Sequence, residues 1–230
     1  MEIVLRKEKV NFFNGKENLL IFHISDLHLR YSVVKLNKIE SLIVLNRPNL
    51  IIFTGDYFDI PKGAYNFRTF LFKISKINTV IFIRGNHDKM YGTKISNLLL
   101  DIPNCFSVEN KLYKYKSDKG YSYNITSWGN RHYLPKNKTE RNIVLIHNPE
   151  KIIENDLLDI QLILAGHLHG GQFVFFKTKD GSNFPGCILY KHCIDRKQIK
   201  HTTLIVSKGL GDTFPFRFNC PKEIVSIIIE

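Results

Sequence analysis

The sequence predicts a mixed α/β fold, a four-layer αββα sandwich in which two mixed sheets pack together between outer helices. Three observations lead there. Short apolar runs alternate with helical periodicity through the first half of the chain. The second half changes to hairpin and strand patterns with little helical signal. One apolar run after another ends in a polar residue able to bind a metal ion.

Residues 2–10 alternate apolar and polar side chains, as a half-buried strand does. Leu19–Ile24, LLIFHI, is a buried strand that runs into SDLHLR. Val33, Leu36, Ile39, Ile43 and Val44 fall at helical spacing, and Pro48 ends that helix. Leu50–Phe53 is a second buried strand, Asn66–Ser75 a second helix and Thr79–Ile83 a third strand. Further on, Lys111–Tyr115 and Tyr121–Thr126 flank Ser117-Asp118-Lys119-Gly120, a hairpin turn. Tyr113 and Tyr115 share one face there, opposite Lys114 and Lys116. They read as half-buried sheet tyrosines, with base stacking as the alternative. Asn142–Ile146, Gln161–Ala165, Thr202–Val206 and Ile224–Ile229 complete the strands. Residues 177–201 lack a clear period and suit a lid or specificity loop. No linker or repeat interrupts the chain, so residues 1–230 read as one domain.

The chain carries 33 Lys and Arg against 21 Asp and Glu, a net charge of +12. Such a field draws phosphates, nucleic acid or anionic headgroups. A solvated lysine-rich surface accounts for the same excess. Cys105, Cys187, Cys193 and Cys220 form no CxxC pair and read as free thiols of a reducing cytoplasm. No secretory signal or membrane-spanning run is visible, which leaves peripheral contact with the inner membrane face through charge. His23 reads as a core histidine, and His132, His192 and His201 as facing solvent.

The strand ends carry the chemistry. Asp26 and His28 follow the first buried strand, Asp56 the second, and Asn86, His87 and Asp88 the third. His147 follows Asn142–Ile146, and His167 and His169 follow Gln161–Ala165. Ligand sites in layered α/β folds gather at the carboxyl ends of strands, so these groups converge in one crevice. Each has a bland alternative as a turn residue or structural histidine, but that alternative must be invoked at five strand ends in succession. Carboxylates and imidazoles without thiolate suit Mn, Fe or Zn. The set is too large for one ion and suits two. Two ions roughly 3.5–4 Å apart can clamp a phosphoryl group and activate water.

Asp26-Leu27-His28, Gly55-Asp56, Gly85-Asn86-His87-Asp88, His147 and Gly166-His167-Leu168-His169 resemble, in order, the motifs of the calcineurin-like metallophosphoesterase superfamily. GHLHGGQ, SKGLG at Ser207–Gly211 and PFRFNCPKEI at Pro215–Ile224 are similar to its YkuE-like branch, which includes UDP-diacylglucosamine hydrolases. The chain departs from that branch in lacking an N-terminal hydrophobic segment and in having Lys208 where Arg is frequent.

The resemblance implies that Asp26, His28 and His169 hold one divalent ion, that Asn86, His147 and His167 hold another, and that Asp56 bridges them. Manganese is favoured, with iron or zinc as alternatives. It further implies a hydroxide between the ions as nucleophile, His87 as the acid for the leaving oxygen, and Asp88 orienting His87. Arg84 reads either as a phosphate contact or as a surface cation, and Arg217 as a substrate contact or a brace. Asp59 reads as structural. The expected activity is hydrolysis of a phosphomonoester, phosphodiester or pyrophosphate, the branch pointing to a nucleotide-sugar or lipid-linked diphosphate. A metal-dependent nuclease and a non-catalytic metal-binding scaffold are the alternatives.

Overall fold

Alternation along the apolar runs builds separate cores. Leu50 and Ile52 face one cluster of buried side chains, and Ile51 and Phe53 face another. Ile143 and Leu145 join the same cluster as Leu50, while Val144 and Ile146 turn to a third. A period of two thus gives each sheet an inner and an outer face.

The computed structural model describes residues 2–12, 18–32, 34–136, 141–157, 159–212 and 216–230. The strands are β1 Val4–Val10, β2 Leu19–Ile24, β3 Leu50–Phe53, β4 Thr79–Phe82, β5 Cys105–Ser107, β6 Tyr113–Lys116 and β7 Ser122–Ser127. They continue as β8 Arg141–Ile146, β9 Leu162–Ala165, β10 Val174–Lys177, β11 Asn183–Pro185, β12 Arg196–Ile199, β13 Thr202–Val206 and β14 Glu223–Ile229. The α-helices are α1 Val34–Asn46, α2 Pro61–Ile74, α3 Asn86–Met90 and α4 Gly92–Ser96.

One six-stranded sheet has the order β1-β14-β2-β3-β4-β5 and the other β12-β13-β9-β8-β7-β6. Both are mixed: β2, β3, β4 and β5 pair in parallel, as do β7, β8, β9 and β13, with antiparallel pairs β14–β2, β6–β7 and β12–β13. Inner faces of both sheets share one core, which also takes in Tyr113 and Tyr115. These tyrosines are half-buried sheet residues, as the strand pattern predicted.

Helices α1 and α2 cover the outside of the first sheet through Leu36, Ile39, Phe67 and Phe70. Helix α2 starts at Pro61, earlier than its apolar spacing indicates, because proline suits the first helical turn. The outer layer of the second sheet is thinner. There Ile152, Leu157 and Ile160, around the short 3-10 turns Pro149–Lys151 and Glu154–Asp156, pack on Val144, Ile146, Ile163 and Ala165. That thinness matches the sparse helical signal of the second half.

Some elements escaped the sequence. Strand β5 is three residues long, and β12, RKQI, is too polar to stand out. Residues 177–201 form much of the ribbon β10–β11 and strand β12 rather than a structureless loop. His192, expected in solvent, is buried. Its backbone N–H donates to the Glu150 carboxylate at 2.7 Å, which draws this segment down onto the protein. Val33 lies outside the described residues.

Candidate metal centre

The loops after β2, β3, β4, β8 and β9 meet at one end of the sandwich. Main-chain bonds tie them in pairs: Asp26 N–H to the Gly55 carbonyl at 2.9 Å, His28 N–H to the Asp56 carbonyl at 3.0 Å, and Gly166 N–H to the His147 carbonyl at 3.0 Å. The approach is so close that a methyl at Gly85 would overlap the Asp56 carboxylate, and one at Gly166 would overlap Ser25 and Asp26. Asp26, His28, Asp56, His167 and His169 all have left-handed backbones, with φ of 53°, 47°, 57°, 73° and 49°. Side-chain-bearing residues rarely adopt such angles, and their clustering marks a site where geometry is imposed by function.

Two groups of ligand atoms result. Asp26, His28 and His169 bring theirs within 4.8 Å of one another, and so do Asp56, His147 and His167. In the first, His28 Nε2 and His169 Nε2 are 3.2 Å apart. In the second, His147 Nε2 lies 3.1 Å from Asp56 Oδ2, 3.0 Å from Asn86 Oδ1 and 3.2 Å from His167 Nδ1. His28 Nδ1 is 2.6 Å from Asp59 Oδ1, and His147 Nδ1 is 2.8 Å from the Thr54 carbonyl. Those acceptors place the ring proton on Nδ1, so each Nε2 turns a lone pair toward the group. Lone pairs converging at about 3 Å repel unless a cation lies among them. This donor set fits divalent metal ions, and oxygen with imidazole suits Mn, Fe or Zn.

The electrostatics agree. Burial works against a charged His147, yet the Asp56 hydrogen bond with the Asp26 and Asp56 charges raises it to about 9. Burial likewise opposes the ionised Asp56, but His147 holds that carboxyl below its usual range. His28 behaves like His147: burial is outweighed by the Asp59 hydrogen bond, and its pKa rises. The carboxylates therefore demand positive charge. His169 is pushed down to about 4, first by burial and then by the charges of His28 and Arg217, so it is neutral and ready to bind.

A third group joins His28 and His87 through Asp59. Asp59 Oδ1 stands 3.0 Å from His87 Nδ1, and the two rings pack edge to face at 4.7 Å. Burial resists ionisation of Asp59, but the His28 hydrogen bond and charge hold it at about 2. The sequence put Asp88 in this role; the structure shows Asp59 beside His87 and Asp88 turned toward backbone N–H groups. Asp88 is wholly buried and accepts backbone N–H groups from Asp56, Tyr57 and Gly85, each at 2.8 Å. Burial, aided by the Asp56 charge, raises its carboxyl to about 7 against those N–H groups. Asp88 shapes the loops beneath the site, and Asp59 is the carboxylate at His87.

The remaining candidates sit around this centre. Arg84 pairs with Glu109 at 2.5 Å, the end-of-strand reading of its charge. The Arg217 guanidinium bonds Asp212 at 2.8 Å, the Lys208 carbonyl at 2.8 Å and the Gly211 carbonyl, and comes within 3.4 Å of His169 Nδ1. Lys208 is buried behind the site, paired with Asp195 at 2.8 Å and Glu223 at 3.2 Å. His23 is a core histidine, 2.9 Å from the Thr54 hydroxyl.

Residues 19–171 match the calcineurin-like phosphoesterase family. This chain belongs to that family. Among its relatives, the metallophosphoesterase Cj0846 of Campylobacter jejuni is 28% identical over 94% of the chain, which spans 60% of that relative's length. YkuE of Bacillus subtilis is 27% identical, with 94% of this chain and 81% of the relative covered. The phosphodiesterase YaeI of Escherichia coli is 25% identical, with 97% and 87% covered. A dimetal phosphatase from Danio rerio overlays with a TM-score of 0.55 at 10% identity, covering 83% of this chain and 87% of that one, a likeness of fold. The calcineurin-like phosphoesterase fold and its metal-ligand groups together support metal-dependent hydrolase activity. No helix among the described residues is long and apolar enough to cross a membrane.

The groups open into a cavity of about 330 Å³ whose wall includes His87, Gln172 and Tyr190. A hollow of about 650 Å³ shares Asn86 and His167 with it and is bordered by His147, Trp128, Lys89 and Lys151. Asp59, Gln172 and Tyr190 were not singled out by sequence as site residues. Asp59 follows Asp56 by three positions, and no local pattern shows that a bridge between Leu29 and Phe58 brings it to His28.

Proposed function

We propose that the chain hydrolyses a phosphodiester or pyrophosphate bond, with a nucleotide-sugar or lipid-linked diphosphate as the substrate class. The observation that carries this is the convergence of the two ligand groups beside a carboxylate-held His87. Asp26, His28 and His169 would hold one ion, and Asn86, His147 and His167 the other. Asp56, with one oxygen on His147 and the other accepting the His87 N–H at 2.9 Å, would bridge the two. Divalent ions there, manganese above all, would polarise the phosphoryl oxygens and acidify water.

The chain's own groups do the rest. Asp59 fixes the His87 ring through Nδ1, leaving Nε2 to donate a proton to the departing oxygen. The two hollows that share Asn86 and His167 offer space for both halves of a diester or diphosphate. The tail that resembles the YkuE-like branch lies against this site: Leu210 N–H reaches the Asp26 carbonyl at 3.1 Å, and Arg217 reaches His169. The nuclease reading loses its stacking platform, because Tyr113 and Tyr115 pack on the core between the sheets. A purely structural scaffold has no use for the Asp59–His87 pair.

Turnover of bis-p-nitrophenyl phosphate with added Mn²⁺ tests the proposal. His87→Ala should cost about 10²–10⁴-fold in rate while both ions remain bound. No turnover by folded, metal-loaded protein would falsify it.

A further inference from the structure

The two hollows at the metal centre differ in charge. The smaller is walled by imidazoles, the Asp56 carboxylate, Gln172 and Tyr190, and no described lysine or arginine lines it. The larger holds Arg84, Lys89 and Lys151 against a single carboxylate, Glu109. Three cations against one anion leave an excess of two positive charges on one concave wall.

Glu109 is already engaged, with Arg84 at 2.5 Å and Lys89 at 3.1 Å. Lys151 is not. It is exposed at the end of the 3-10 turn Pro149–Lys151, just after His147. The acids nearest to it in sequence are spent elsewhere. Glu150 accepts the Lys191 and His192 backbone N–H groups at 3.0 and 2.7 Å, and Glu154 pairs with the Lys191 ammonium at 2.6 Å. Among the described residues Lys151 has no ion pair. Its charge nevertheless reaches the metal centre: His167 is pushed down by burial first, then by the charges of His147 and Lys151. Asn148 stands in the same wall, with Oδ1 accepting the Glu150 N–H at 2.9 Å and its amide N–H groups left to donate.

The hollow that holds Lys151 is not the one that holds the proton donor. His87 lines the smaller hollow and not the larger. A leaving group protonated by His87 departs on that side, so the half that stays on phosphorus fills the larger hollow. An unpaired ammonium on a wall with two charges in excess calls for an anion. A phosphate monoester, with about −1.5 to −2 charges at pH 7 and several acceptor oxygens, matches that excess, and a carboxylate does not. At about 650 Å³ the hollow has room for it and for its linking group.

We propose that Lys151 is a specificity residue that receives a further phosphate, carried by the half of the substrate that stays on the attacked phosphorus. This rests on the hydrolytic reading of the site and deepens it: the substrate bears a phosphate beyond the bond that is cut.

Titration calorimetry of Mn²⁺-loaded protein with thymidine 3′,5′-bisphosphate and thymidine 5′-monophosphate tests it, because the two ligands differ by one phosphate. Wild-type protein should bind the bisphosphate about tenfold tighter. Lys151→Met should bring the two affinities together, and Lys151→Arg should keep them apart. Lys114→Met, which removes the same charge from an exposed strand lysine, should also keep them apart. Urea midpoints and metal content near wild type show that the variants are folded and loaded. Equal binding of both ligands by the wild type, or a preference that survives Lys151→Met, would overturn the proposal. So would an equal loss of both ligands in Lys151→Met, since Lys151 would then hold the attacked phosphoryl group. Turnover of bis-p-nitrophenyl phosphate is read separately. Protein that prefers the bisphosphate through Lys151 yet hydrolyses nothing would sink the hydrolytic reading and leave the phosphate subsite standing.

Discussion

The two halves of the candidate metal centre contain similar ligands but are held in different ways. In the first, His28 and His169 are propped by charged side chains, Asp59 behind His28 at 2.6 Å and Arg217 beside His169, while Asp26 accepts the His167 N–H at 3.0 Å. In the second, His147 and Asp56 are held by main chain. The Thr54 carbonyl fixes His147, the His87 N–H fixes Asp56, and Asp88 gathers the backbone of the Asp56 and Gly85 loops from below. Side-chain props can be tuned one substitution at a time. Main-chain props move only with the loops, so the second half should be the stiffer and the first the adjustable one.

Removing what the halves share should have the largest effect. Asp56→Ala should release both ions and abolish turnover, whereas His169→Ala should leave the second group able to bind one. Metal content by elemental analysis distinguishes them; a full complement of one ion in Asp56→Ala would show that Asp56 does not join the halves.

A side-chain prop comes next. Asp59→Asn weakens the hold on both His28 and His87, and should lower kcat/KM or metal affinity by about 10–100-fold with little change in stability. Wild-type kcat/KM with full metal content would mean that Asp59 positions neither ring.

A main-chain prop should read out differently. Asp88→Asn turns an amide donor toward N–H groups that already need acceptors, at a cost of about 1–3 kcal/mol. Urea unfolding of metal-free protein should show this loss, and Asp59→Asn should not show it.

His23, between the sheets and outside both groups, should read out only in the pH dependence of stability. Burial, with the Arg6 charge, lowers it to about 3 from 6.5. Between those values the unfolded chain binds a proton that the folded chain refuses. Stability is therefore full above about pH 6.5 and declines as pH falls toward 3. His23→Leu should flatten that decline by about 1.4 kcal/mol per pH unit. An unchanged acid limb would place the sensitivity elsewhere.

Much of this comparison was legible in the sequence because strands impose a fixed period. LLIFHI, LIIF and LILA set the faces, so the polar residues that follow them emerge at one end of the sandwich. What holds those residues was not legible. Asp88 follows His87 in sequence, yet α3 begins at Asn86 and turns its carboxylate inward to backbone N–H groups. Asp59 reaches His87 only because the loops after β2 and β3 bridge at Leu29 and Phe58. The larger hollow was hidden for a similar reason, since it gathers Lys89, Trp128 and Lys151 from separate segments of the chain.

Each ligand group draws from both sheets: Asp26 and His28 face His169, and Asp56 faces His147 and His167. Ions seated there would rivet one sheet to the other. The opposite end is closed without them, where Phe12 meets Tyr123 edge to face at 5.9 Å. Chelation should then act like opening a hinge from its latched side. Amide exchange would quicken at the carboxyl ends of β2, β3, β8 and β9 while the Phe12–Tyr123 end kept its protection. In such a molecule the catalytic centre is also the clasp of the fold.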